Sequence, residues 1–86
     1  MFSRLLNLRI NILKWKISRL KRKISRLEKV EARYKKYGCE AYDGGRRRIA
    51  TMWRNAWNTI WDKIYESRYD LKRLQHELHK LQAAIS

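Results

Sequence analysis

The sequence predicts an all-α protein: an antiparallel helical hairpin of the coiled-coil type, dimerising into a four-helix assembly. Three observations predict it. Apolar residues recur at alternating four- and three-residue spacing along two long stretches, which is the pattern of a helix seam. The chain has no proline, and its three glycines, Gly38, Gly44 and Gly45, fall in one window that provides a single break. Although 35% of residues are charged, 44% are hydrophobic, and their periodicity argues for folded helix over disorder.

Helix 1 is expected over about 3–37, starting at Ser3 as N-cap and stopping where Lys35, Lys36 and Tyr37 lead into Gly38. Its seam is Leu6, Ile10, Leu13, Ile17, Leu20, Ile24 and Leu27. A turn is expected over 38–45, with Asp43 or Gly45 capping the second helix. Helix 2 then runs over about 46–84, with its seam at Ala50, Trp53, Trp57, Ile60, Ile64, Ser67, Leu71, Leu74, Leu78, Leu81 and Ile85. The whole chain, 1–86, is one domain. It is short enough that a compact core is marginal, so elongated packing or self-association is expected.

Folding the chain back about Tyr42 pairs seam positions whose numbers sum to 84. Leu6 then faces Leu78, Ile10 faces Leu74, Leu27 faces Trp57 and Glu31 faces Trp53. Flanking residues agree on balance: Arg9 comes near Glu77, Lys16 near Asp70, Glu28 near Arg54 and Lys21 near Trp61, against repulsions of Lys23 with Lys63 and Lys14 with Arg68. Two copies of helix 1 in parallel would set cation against cation at most of these positions, which disfavours that pairing.

Charge is the strongest pointer to function. The net charge is +14, and no acid precedes Glu28. Opposite the seam of helix 1 runs a second stripe that begins Leu5, Leu8, Ile12, Trp15 and continues Arg19, Arg22, Arg26, Lys29, Arg33, Lys36. Arg46, Arg47 and Arg48 come just past the turn. Such a run of one sign is more than solubility requires. Guanidinium groups grip phosphate bidentately and release condensed counterions, so the predicted partner is RNA or DNA, held by its backbone. RNA is preferred, because no recognition-helix module is visible and RNA is commonly read by shape.

The apolar start of the outer stripe has no partner in the hairpin, which marks it as a homodimer contact, with a membrane surface the less favoured occupant. On helix 2 the ridge Trp53, Trp57, Trp61, Tyr65, Tyr69 steps by four residues, so it leaves the seam and winds outward. Its outer members, Trp61, Tyr65 and Tyr69, are placed at an oligomer or partner interface, with base stacking and cover by cations of helix 1 as the other readings.

Catalytic and metal chemistry find little support. Asp62, Glu66 and Asp70 recur a turn apart but suit local ion pairs better than a cation site. His76 and His79 lack further ligands. Cys39 stands near Lys35 and Lys36 without a histidine in sequence reach. Neither a cofactor nor an enzymatic activity is expected. As the single cysteine, Cys39 allows no internal disulfide, which makes the cytoplasm the default location. The basic, amphipathic N-terminus imitates a transit peptide, but the heptads run through any cleavage site, so it reads as structure.

In small size, strong basicity and all-helical pattern the chain resembles phage-encoded counter-defence proteins, among them RNA-binding inhibitors of toxin–antitoxin ribonucleases. That resemblance implies sequestration of a host nuclease on RNA. The alternative expectation is a protein inhibitor or adaptor that docks directly on an acidic or RNA-binding surface of a partner.

Overall fold

The computed structural model describes residues 2–85, with side chains from residue 4 onward. It consists of two helices, α1 (Phe2–Asp43) and α2 (Arg47–Ile85), packed along their lengths as an antiparallel hairpin. The molecule measures 66 × 14 × 14 Å. That length matches α1, whose 42 residues rise about 1.5 Å each.

The seams fold as the spacing predicts except at Ile85, which lies at the open end of the rod and is 43% exposed. Ile10, Leu13, Ile17 and Ile24 of α1 and Ile64 and Ser67 of α2 are buried, while Leu6, Leu20, Leu27, Trp53, Trp57, Ile60, Leu71, Leu74, Leu78 and Leu81 are half-buried. A two-helix rod has no deeper interior than this one seam. Neither helix would be stable alone, so their mutual burial supplies the fold.

The ends of the helices differ from the sequence expectation. α1 already includes Phe2, so Ser3 lies within it and not at its cap; the Ser3 side chain is outside the described residues. At the other end α1 does not stop at Gly38. It continues to Asp43, and the turn shrinks to 44–46. The true stop is Gly45, whose φ of 75° is the left-handed conformation that favours glycine. There the Arg46 N–H donates to the Ala41 carbonyl at 2.8 Å and the Gly45 N–H donates to the Tyr42 carbonyl at 3.1 Å. These two bonds form a Schellman cap. Arg46 then serves as the N-cap position of α2, its carbonyl accepting from Ala50 N–H at 2.9 Å; neither Asp43 nor Gly45 caps α2.

Gly38 stays helical, packed against Trp53, with room for an ordinary Cβ contact. A Cβ built there would stand 3.4 Å from the Cβ of Trp53, and the Trp53 ring lies 5.2 Å from Tyr34 and 5.1 Å from Tyr37. A mid-helix glycine costs about 1 kcal/mol relative to alanine, less than this aromatic packing returns.

The longer α1 moves the register. Residue numbers of the observed cross-helix pairs, Tyr34–Trp53, Tyr37–Trp53, Gly38–Trp53, Glu31–Trp57 and Glu28–Arg68, sum to 87–96. They centre one heptad beyond the expected 84. Glu31 therefore meets Trp57 and not Trp53, Glu28 pairs with Arg68 and not Arg54, and Trp61 receives Arg68 and not Lys21. A shift of one heptad keeps the heptad positions facing one another, which is why the fold survives the correction.

Candidate nucleic-acid interface

The ladder lies where its spacing places it. Arg19, Arg22, Arg26, Lys29, Arg33 and Lys36 are all exposed on the side of α1 away from the seam. From Arg19 to Lys36 it extends about 26 Å along the helix. Two members have neighbours: the Arg19 guanidinium sits 5.0 Å from the Trp15 ring centre, and Lys36 is 4.0 Å from Glu40 in an exposed pair. Arg22, Arg26, Lys29 and Arg33 make no ion pair among the described residues. The ladder is thus mostly uncompensated charge.

Beyond the ladder, at the tip of the rod, Arg46, Arg47 and Arg48 are exposed. They occupy the start of α2, whose first turn contains no acid. Cations there oppose the positive end of the helix dipole. The arrangement works against local stability and adds to a positive field at the tip.

A groove of about 630 Å³ on one flank adds residues outside the ladder's own spacing. Lys16 and Lys23 join Arg19 and Arg26 on its α1 wall, Arg73 stands on its α2 wall, and Leu20, Leu74 and Trp15 also line it. Lys16 does share this groove with Asp70, but Asp70 makes its ion pair with Arg73, at 3.8 Å. Periodicity along α1 could not reveal Arg73, which belongs to the other helix; only the hairpin register brings it beside the ladder.

The opposite flank, at the turn end, has a groove of about 690 Å³ lined by Tyr34, Gly38, Tyr42, Trp53 and Trp57, with Lys35, Arg47 and Arg54 at its sides. Cys39 and Asp43 also line it, and Cys39 is exposed. Farther along the same flank the aromatic ridge is tied into the hairpin. The Trp57 Nε1–H donates to Glu31 Oε1 at 2.7 Å, Trp57 stacks on Trp61 at 6.2 Å and 7°, and Arg68 lies 5.5 Å from the Trp61 ring while pairing with Glu28 at 3.0 Å. Trp61 is therefore contacted by its own helix, yet it is still 41% exposed. Tyr65 and Tyr69, 70% and 66% exposed, remain open. So does the apolar start of the outer stripe, Leu5, Leu8, Ile12 and Trp15, from 64% exposed at Leu5 to 44% at Ile12.

Among the described residues, no group of three or more His, Cys, Asp or Glu is placed to hold a metal ion, and no helix is long and apolar enough to cross a membrane. No family model matches the chain, and neither a curated protein nor a solved structure does.

Proposed function

We propose that the protein is a non-catalytic nucleic-acid-binding protein of the cytoplasm that grips the phosphate backbone of RNA through the basic face of α1. The observation that carries this reading is the run of uncompensated cations from Arg22 to Arg33, continued by the arginines at the tip. Groove shape supports backbone contact over base readout. A-form RNA has a deep, narrow major groove that side chains cannot read, so an exposed helix face such as the ladder meets the phosphates at its edges.

Titration against salt tests the proposal. About six phosphate contacts give a slope near −5 in log affinity against log salt on a duplex. Reversing Arg22, Arg26 and Arg33 to Glu flattens that slope and weakens binding steeply. A salt-independent affinity, or one unchanged by the triple reversal, would overturn the reading.

Exposed Tyr65 and Tyr69 favour a second surface, since tyrosine is enriched where proteins meet. Through it and the patch of Leu5, Leu8 and Ile12 the hairpin pairs with a second copy or docks on a host protein. A protein that holds RNA on one face and an RNA-processing or defence enzyme on the other would act as an inhibitor of the phage counter-defence kind. Capture of such an enzyme that persists after nuclease treatment indicates direct docking, and capture lost with the RNA indicates bridging.

A further inference from the structure

We infer that the flank groove between Trp15 and Arg73 is a binding site for a single-stranded stretch of nucleic acid; the inference rests on the ladder being a polyanion surface. Three observations converge there. First, five cations, Lys16, Arg19, Lys23, Arg26 and Arg73, line the groove against one acid, Asp70, which is already paired with Arg73. Second, these cations come from both helices, so they flank the groove instead of forming one convex row. A flexible single strand can follow the α1 cations into the groove and reach Arg73 on the other wall, whereas the stiff duplex engages the outer row more than the groove.

Third, Trp15 lines the groove, 59% exposed and with the Arg19 guanidinium 5.0 Å from its ring centre. An indole backed by a guanidinium is a flat surface that suits an unpaired base, because every base has a π-face and stacking needs no sequence. Bases inside a duplex are stacked on each other and cannot use it. The groove therefore prefers unpaired over paired nucleic acid, and the outer ladder, Arg22, Lys29 and Arg33, contributes to both alike.

The test uses the full chain and two labelled probes: an oligouridine of about 12 nucleotides, within the span such grooves cover, and an RNA duplex of the same length. Trp15→Leu should weaken oligouridine binding about ten-fold, the loss of one stacked base, while duplex affinity stays within about two-fold. Lys23→Glu with Arg73→Glu should likewise act mainly on the oligouridine, and Arg22→Glu with Lys29→Glu should weaken both probes together. If the groove variants weaken the two probes equally, or if only the duplex is bound, the groove site is overturned while the ladder stands. If neither probe binds the unaltered chain, both readings fall. All the substituted side chains are exposed, and helical circular dichroism of each variant confirms that it is folded.

Discussion

Glu31 is the residue whose chemistry the seam can least do without. It occupies a seam position, half-buried, and accepts the Trp57 Nε1–H at 2.7 Å. A hydrogen bond to a charged acceptor contributes about 1.5–3 kcal/mol, and a donor left without its partner costs about 1–3 kcal/mol. The neighbouring Glu28–Arg68 pair is longer, at 3.0 Å, and both side chains are 48% exposed, so solvent screening holds it to ~1 kcal/mol or less. The two glutamates should therefore separate in urea denaturation. Glu31→Ala is expected to lower stability by about 1–2 kcal/mol and Glu31→Gln, which keeps an acceptor, by much less. Equal losses for the two Glu31 variants would show that packing, not the hydrogen bond, is what Glu31 supplies.

At the scale of the elements, the turn decides the register, and two glycines report on it in opposite directions. Gly45 is held at φ 75°, where an L side chain is strained, so Gly45→Ala should destabilise by about 1 kcal/mol. Gly38 is helical, and an added Cβ would meet Trp53 at ordinary contact distance, 3.4 Å. Gly38→Ala should be neutral or stabilising by up to about 1 kcal/mol through helix propensity, read as a shift of the thermal midpoint. A large loss at Gly38 would mean that the chain bends there. These residues also show what is legible in the sequence. Leucine and isoleucine spacing alone locates both helices, the seam and the ladder, because those depend only on periodicity within one helix. The register it suggests is off by one heptad, since apolar layers look alike every seven residues and Gly38 offers a stop as plausible locally as Gly45. What distinguishes them is the fit of Trp53 over Gly38, a contact between residues far apart in sequence. Arg73 escapes a reading of the sequence for the same reason: it enters the site only through the pairing of the helices.

As a whole molecule the hairpin is surface-rich. It exposes 7398 Å², whereas a compact protein of 10.6 kDa exposes about 5,500 Å². The excess is comparable to the area a standard protein interface buries, about 1,200–2,000 Å². Self-association through the patch of Leu5, Leu8 and Ile12 would cover part of it, yet each copy brings a charge of +14, and this repulsion is screened only by salt or a polyanion. Sedimentation should therefore find more dimer at high salt, or with RNA present, than at low salt; a dimer fraction indifferent to ionic strength would remove the charge argument. The antiparallel layout has a mechanical consequence as well. α1 starts and α2 ends at the same tip, so tension on the two termini peels the helices apart one layer at a time and never shears the seam as a unit. The rupture front would meet the aliphatic layers first and the Trp57 and Trp53 cluster last, leaving the arginine-bearing tip as the final segment to let go.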